Sequence, residues 1–267
     1  MRAIQTHTAL ITSFFLLPVA TLTSAEAEQQ NVPRAGLQSL SDPAKAQVRN
    51  QHGDDTARET RDIAGWSVHI RKALLASDTS ETARALELLK VQLDEINRVV
   101  PPAAVMELKK VPLWISPAYP ATPPRAEYHP DAGWLRGHGR DPAMARGVEF
   151  TNVKIFEAEC RRMPVFALHE LAHAYHHRVL GYDHAGIQAA YEKAKAGGKY
   201  DHVERQDSEG RRRFDRAYAM TNSQEYFAEC TEAFFGRNDF FPFTKGELEM
   251  HDPEMFALLE KLWNPAR

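Results

Sequence analysis

The stretch His169-Glu170-Leu171-Ala172-His173 decides how this chain of 267 residues is interpreted. It has two histidines four positions apart, with a glutamate directly after the first. In a helix of about 3.6 residues per turn, positions i and i+4 share a face, so both imidazoles can reach one metal ion. Glu170 is rotated away from that pair, where its carboxylate can contact a water molecule on the metal. This H-E-x-x-H pattern is typical of zinc hydrolases and predicts one Zn²⁺ bound by His169 and His173.

The residues around this motif predict a buried helix over 164–180. The flanking residues 164–168 and 174–175 are uncharged and nearly all apolar. Pro164 suits a first helical turn, and Gly181 suits the position just after a helix end. A histidine-rich surface helix without a metal is the alternative. Buried imidazoles and a carboxylate without partners would be costly, which favours the metal.

A catalytic zinc site needs a third protein ligand and one open position. In one large subgroup a glycine and a third histidine follow the motif, but those places hold His176 and Val179 here. That subgroup is excluded. Asp183 is a possible carboxylate ligand, although Gly181 is expected to end the helix just before it. The better candidate is Glu225.

The segment 221–235 predicts a helix with two carboxylates on one face. Thr221 and Gln224 have the spacing of a capping box, which leaves Glu225 in the first turn without a capping role. Glu229 follows at i+4 among aromatic residues, and two aligned carboxylates there require a cation or a donor. We therefore predict Glu225 as the third metal ligand and Glu229 as the acceptor for the N–H of a ligating histidine. An acidic solvent-facing surface is the alternative.

Three further side chains are candidates for the same site. Tyr218 lies seven residues before Glu225, and its phenol could donate to the oxyanion of a tetrahedral intermediate. A packing role is its alternative. His176 lies on the same helical stripe as the two motif histidines. It could have no role in the site, could hydrogen-bond to a metal ligand, or could contact the substrate. His177 is predicted to be structural.

Together these motifs resemble the catalytic domain of the anthrax lethal factor type, and a group of exported bacterial proteins described as zinc metallopeptidases of that kind. The resemblance rests on H-E-L-A-H at 169–173, followed by Tyr218 and by T-N-x-x-E-Y-F-A-E at 221–229. It covers roughly 164–180 and 215–236. It does not extend to the receptor-binding and substrate-binding regions of the toxin.

The resemblance implies a gluzincin-type zinc metallopeptidase with a small α+β fold. In that family the two histidines and the downstream glutamate bind zinc, roles that fall here on His169, His173 and Glu225. The general base would be Glu170, and Tyr218 would lie near the scissile carbonyl. The implied partner is a peptide or protein substrate.

The remaining pattern predicts an α+β fold, with a small twisted sheet packed against the metal-binding helix and the downstream glutamate helix. Apolar alternation or apolar runs predict strands at 65–71, 111–116 and 148–156. The last of these could offer an edge to an extended substrate. A capping box at 78–81 opens a helix that ends before Pro101. The other predicted elements are a loop at 117–144 acting as a cleft wall, a helix at 185–195, and a hairpin of 200–203 with 211–218.

The N-terminus predicts export. Arg2 is followed by an apolar run at 9–22 and then by T-S-A-E-A, which predicts a signal peptide over 1–27. Cleavage is expected after Ala25 or Ala27. The apolar run is short for a membrane span, so an uncleaved anchor is the lesser alternative. The expected location is secreted or periplasmic, without stable membrane insertion.

Length, charge and cysteine content set further bounds. Residues 28–58 are polar and predict a flexible leader, and 59–267 are enough for a single metallopeptidase domain. The formal net charge of −3 argues against nucleic acid or an anionic membrane as the main partner. Cys160 and Cys230 could form a disulfide in an oxidising compartment, or remain two separate thiols.

The sequence therefore favours a zinc-dependent metallopeptidase that hydrolyses peptide bonds through a metal-activated water, with Glu170 as general base. Two alternatives stay open at this point. One is an exported zinc-binding module without peptidase activity, which has no need of a base beside the metal. The other is a zinc amidohydrolase acting on a non-protein amide.

Overall fold

A five-stranded mixed sheet forms the first half of the fold. The computed structural model describes residues 57–264. The strands are β1 (Arg58–Ile63), β2 (Trp66–Arg71), β3 (Leu113–Ile115), β4 (Ala126–Tyr128) and β5 (Val148–Phe150). They lie in the order β1-β2-β3-β5-β4. The three inner strands run parallel, and the edge strands β1 and β4 are antiparallel to their neighbours.

Ten helices and a separate hairpin complete the described part of the chain. The hairpin consists of β6 (Val203–Gln206) and β7 (Arg212–Asp215). The helices are α1 (Lys72–Ser77), α2 (Thr79–Val99), α3 (Pro102–Leu108), α4 (Ala132–Gly137), α5 (Phe156–Arg162), α6 (Phe166–Tyr175), α7 (Ala185–Ala196), α8 (Ser223–Phe235), α9 (Lys245–His251) and α10 (Pro253–Leu262). Short 3₁₀ turns lie at 142–144, 153–155 and 218–220, and a π-helical turn extends α6 over His176–Leu180.

The hydrophobic core lies between the sheet, α2, α6 and α8. Helix α2 buries a stripe at helical spacing that includes Leu86, Leu89, Leu93 and Ile96. Helix α6 is buried nearly all round because α2, α8 and β4 all pack against it. Gln92 of α2 accepts a hydrogen bond from the Ala167 amide in the first turn of α6 at 2.9 Å. That amide has no partner within its own helix, so the contact fixes the start of α6.

The predicted α+β class is confirmed. The helix predicted to start at 78–81 and to end before Pro101 is confirmed as α2, Thr79–Val99. The capping box predicted at 78–81 is wrong, since the Asp78 side chain makes no capping hydrogen bond. The helix predicted over 164–180 is present as α6 with its π-helical extension. Gly181 follows it with a positive φ of 85°, which only glycine adopts easily.

The predicted substrate edge is wrong. Only Val148–Phe150 of the segment 148–156 is a strand, and β5 lies inside the sheet between β3 and β4. The free edge on that side is β4, in the segment predicted as a loop. Three residues are too few to give a readable alternation, which is why the sequence pattern missed this strand.

The start of the domain also differs from the prediction. Arg58, assigned to the leader, begins β1 and pairs with Arg71 of β2. An edge strand with a solvent-facing side tolerates charged residues, so the polar sequence of β1 gave no strand signal. The predicted signal peptide at 1–27 and residues 28–56 of the predicted leader lie outside the described residues. All described residues belong to one compact unit. Within residues 57–264, no helix is both long and apolar enough to cross a membrane.

Candidate metal centre

Helices α6 and α8 bring three potential ligand atoms together. His169 and His173 lie on α6, and Glu225 lies in the first turn of α8, 56 residues further along the chain than His169. The two histidine Nε2 atoms are 3.1 Å apart. The Glu225 Oε2 atom is 3.2 Å from Nε2 of His169 and 3.3 Å from Nε2 of His173. The three residues predicted as ligands therefore converge.

This triangle has the dimensions of one face of a zinc tetrahedron. Ligand bonds of about 2.0–2.1 Å at tetrahedral angles separate neighbouring ligand atoms by about 3.3 Å. Two imidazole nitrogens and one carboxylate oxygen are also a donor set that suits Zn²⁺. The atoms of His169, His173 and Glu225 could hold a metal ion, and all three residues line the adjacent cavity.

The first turn of α8 is fixed by a cap that places Glu225. The Asn222 side chain accepts a hydrogen bond from the Glu225 amide at 2.8 Å, so Asn222 is the N-cap. The capping box predicted from Thr221 and Gln224 is therefore wrong, and the N-cap lies one residue later than predicted. The consequence for Glu225 is the one expected, because its carboxylate has no capping role and is free to turn toward α6.

Glu232, and not Glu229, accepts the hydrogen bond from the far side of the His169 ring. Nδ1 of His169 lies 2.7 Å from Oε1 of Glu232 and 3.9 Å from the nearest Glu229 oxygen. The role predicted for Glu229 is corrected to Glu232, which lies three residues further on the same stripe of α8. A carboxylate at Nδ1 holds the proton on that atom and leaves the Nε2 lone pair free for a metal.

The charge balance of the cluster shifts two pKa values in opposite directions. Burial disfavours a charged His169 ring, but the Glu225 and Glu232 carboxylates outweigh it and raise the pKa of His169 well above its ordinary value. Burial also disfavours a charged Glu225, but hydrogen bonds from His169 and His173 lower the pKa of Glu225 far below its ordinary value. Without a metal, the His169 ring therefore keeps an extra proton and is positively charged, while the Glu225 carboxylate is negatively charged.

Glu229 sits in a different environment from Glu232. It is buried, and burial together with the nearby charges of Glu232 and Asp239 raises its pKa well above the ordinary value. His169, Glu229 and Glu232 also form a group whose ligand atoms lie within 4.8 Å of one another. The 2.7 Å contact between His169 and Glu232 has the length of a charge-assisted hydrogen bond. This hydrogen bond explains why the two groups lie close together, and a second metal ion is not needed.

Glu170 points toward the neighbouring edge strand. Its Oε2 atom accepts a hydrogen bond from the backbone N–H of Tyr128 in β4 at 2.8 Å. Glu170 is half-buried and lines the same cavity as His169, His173 and Glu225. Its carboxylate therefore lies beside the ligand cluster without taking part in it.

A cavity of about 550 Å³ opens in front of the cluster. Tyr218 lies on its wall in the 3₁₀ turn that precedes α8, and the residue is 48% exposed. Burial of part of the ring and the charge of Glu225 raise the pKa of Tyr218, so its hydroxyl keeps its proton at neutral pH. Tyr128 and Tyr182 also line the cavity, and no sequence motif pointed to either residue.

The other candidates from the sequence take no part in the ligand cluster. His176 is fully buried against Phe227 and Tyr182, and neither of its ring nitrogens has a hydrogen-bond partner among the described residues. Burial and the nearby histidines lower the pKa of His176 to about 4, so this ring is neutral. Asp183 is exposed and belongs to neither group of potential ligands. His177 contacts the phenol of Tyr128 at 2.9 Å.

One wall of the cavity carries a charge network that no local sequence pattern predicts. Asp239 is buried and pairs with Arg205 at 3.2 Å and with Arg162 at 3.5 Å. Arg162 also pairs with Glu159 at 2.7 Å. These residues come from three separate segments, so no local pattern connects them.

Cys160 and Cys230 are both free thiols. Cys160 lies beside the Gln92 side chain at 3.2 Å, and Cys230 is buried near Tyr200. Of the two alternatives left open by the sequence, the structure has two separate thiols. Burial raises the pKa of each, so neither is activated as a nucleophile.

No protein-family model matches the sequence, and comparisons with curated proteins and with solved structures gave no significant match. Function is therefore inferred from the geometry of the site.

Proposed function

We propose that the protein is a zinc-dependent metallopeptidase. The observation that carries this proposal is the triangle of His169, His173 and Glu225 ligand atoms with sides of 3.1–3.3 Å, bordered by the Glu170 carboxylate and open to a cavity. A structural metal site is closed by four protein ligands and needs no base beside it. Three ligands, an open side and an adjacent carboxylate favour hydrolysis.

Zinc bound by these residues would supply an acidified water and polarise the substrate carbonyl. Glu170 takes a proton from the attacking water and passes it to the leaving amine. Tyr218, which keeps its proton, donates a hydrogen bond to the developing oxyanion. Glu232 holds the His169 ring in the tautomer that presents Nε2.

The proposed substrate is an extended peptide lying along β4. This edge strand lines the cavity directly beside Glu170. A free strand edge offers main-chain donors and acceptors to an added strand, while cavity walls contact alternate side chains. The export signal predicted at 1–27 would put the substrate outside the cytoplasm.

Cleavage of a mixed peptide library, followed by mass spectrometry, tests the proposal. We expect zinc-loaded wild type to cut peptides and Glu170→Gln to be slower by roughly 10²–10⁴-fold, the usual contribution of a general base. Zinc content should be equal in the two proteins. Glu249→Gln is the matched control, because this exposed glutamate lies on α9, away from the cavity.

The other functional classes give different outcomes in the same assay. A zinc-binding module would bind one zinc ion and cleave nothing. An amidohydrolase acting on non-protein amides would leave the peptides intact but hydrolyse small amide substrates in a Glu170-dependent manner. Equal peptide cleavage by wild type and Glu170→Gln would reject the proposed base.

A further inference from the structure

The direction of the main-chain groups of β4 follows from its pairing with β5. The Thr151 amide donates to the Arg125 carbonyl at 2.8 Å, and the His129 amide donates to the Gly147 carbonyl at 3.0 Å. In an antiparallel pair, alternate residues point their N–H and C=O groups toward the partner strand. Arg125 and His129 therefore face β5, whereas Ala126 and Tyr128 present their main-chain groups to the open edge.

One of these edge groups is already occupied. The Tyr128 N–H donates to Glu170 Oε2 at 2.8 Å, and this is the single hydrogen bond of the Glu170 side chain among the described residues. The Tyr128 phenol contacts Nδ1 of His177 at 2.9 Å. Glu170 lies on α6, and His177 lies seven residues further on, in its π-helical extension. Tyr128 thus contacts α6 and its extension at two points.

The two contacts restrict the Glu170 carboxylate. Tyr128 is only 8% exposed, so β4 cannot shift away from α6 without exposing it. A glutamate on a cavity wall otherwise rotates freely about its last side-chain bond. An amide hydrogen bond to one oxygen removes that freedom and leaves the second oxygen available for proton transfer.

We propose that Tyr128 is the positioning residue for the general base, acting through its main-chain N–H. This inference rests on the proposed function, since it assigns Glu170 the role of base. It makes β4 both the edge beside the substrate and the support of the base. The Ala126 N–H and C=O and the Tyr128 C=O remain open to a substrate strand along this edge.

Hydrogen exchange of backbone amides tests the contact without reference to activity. We expect the Tyr128 amide to exchange at least tenfold faster in Glu170→Ala than in wild type, both zinc-loaded, because its acceptor is gone. The Ala126 amide should exchange equally in the two proteins. Unchanged protection of Tyr128 would overturn the proposal even if the protein proved to be an active peptidase.

A pair of substitutions at one position then tests the consequence for catalysis. Tyr128→Ala removes the phenol and keeps the N–H, whereas Tyr128→Pro removes both, at an edge position whose N–H makes no bond to β5 and so tolerates proline. We expect kcat of Tyr128→Pro to lie roughly 10–100-fold below that of Tyr128→Ala, with similar KM and zinc content, since a misplaced catalytic group costs about that much. Ala126→Pro should instead raise KM. Equal kcat for the two Tyr128 variants would refute the positioning role.

The two experiments separate the possible failures. If Tyr128→Pro does not fold, the exchange comparison alone decides whether the contact exists. If wild type has no peptidase activity while Tyr128 protection depends on Glu170, the contact stands, but the proposed function and the catalytic role of the contact both fail.

Discussion

The two buried glutamates behind His169 have the same chemistry but different contacts. Glu232 lies at hydrogen-bond distance from Nδ1 of His169, and Glu229 does not. We expect Glu232→Gln to weaken zinc affinity by roughly 10–100-fold, the usual effect of losing the carboxylate that supports a ligating histidine. Glu229→Gln is the matched control and should change affinity much less. Competition with a chromophoric chelator measures both, and a larger loss for Glu229→Gln would restore the original assignment.

Tyr218 allows a test of transition-state stabilisation by a single hydroxyl. The residue is 48% exposed, and its hydroxyl makes no hydrogen bond within the described part of the chain, so removing the hydroxyl should not affect folding. We expect Tyr218→Phe to lower kcat by roughly 10²–10³-fold with little change in KM, as for other oxyanion donors. Steady-state kinetics and urea unfolding measure the two effects. An unchanged kcat would show that Tyr218 lines the cavity without stabilising the transition state.

A contact within the site can be predicted from the sequence when its residues are close together in the chain, and not when packing between distant segments determines it. The positions of His169, Glu170 and His173 follow from helical spacing alone. Glu225 was found because a helix start and a face of α8 can be derived from local sequence. The choice between Glu229 and Glu232 depends on how α8 is rotated against α6, and that is set by packing that no local pattern encodes.

At the scale of elements, the long helices were predicted well, whereas the short helices α1, α3, α4 and α5 and the short strands were not. Helix α2 has 21 residues and repeats its apolar stripe several times, so its period is clear. Strand β4 has three residues, and its sheet neighbour β5 lies 20 residues further along the chain. The edge beside the cavity was therefore assigned to the wrong strand, although the aromatic segment around it was correctly expected to form a cleft wall.

Helix α8 is held in place by a buried hydrogen bond to the start of α10. The Tyr226 hydroxyl donates to Asp252 at 2.6 Å, and Asp252 caps α10. We expect Tyr226→Phe to lower the free energy of unfolding by about 1.5–3 kcal/mol, because the lost bond is buried and its acceptor is charged. Urea unfolding followed by circular dichroism measures this, with Tyr218→Phe as the exposed control. Equal stability of the two variants would contradict it.

At the scale of the whole molecule, a bound metal would join α6 to α8. A ligand that binds only the folded state stabilises it by about 4 kcal/mol at a thousandfold excess over Kd. For a domain of this size that corresponds to a rise in Tm of roughly 10 °C. We expect a chelator to lower Tm by that amount and added zinc to restore it. Glu225→Ala should have a low Tm that does not respond to zinc, and a full response in that variant would remove Glu225 from the ligand set.

The protonation of His169 gives the stability of the metal-free protein a defined pH dependence. The pKa of His169 is raised above the ordinary value of 6.5 by Glu225 and Glu232, against the effect of burial. The folded state therefore binds a proton more tightly than the unfolded state. This contribution is fully present below pH 6.5 and is lost as the pH rises through the higher pKa of the folded protein. Metal-free protein should thus become less stable from pH 6.5 upward.

Zinc reverses the sign of this dependence. A metal needs the neutral ring, so metal and proton compete for Nε2 of His169, and affinity increases as the proton is lost. We expect the free energy of unfolding to fall with pH in chelator and to rise over the same interval at fixed free zinc. Urea unfolding at several pH values between 6 and 9 under both conditions measures the two slopes. His169→Gln should abolish both, and parallel slopes with and without zinc would show that His169 does not exchange a proton for a metal.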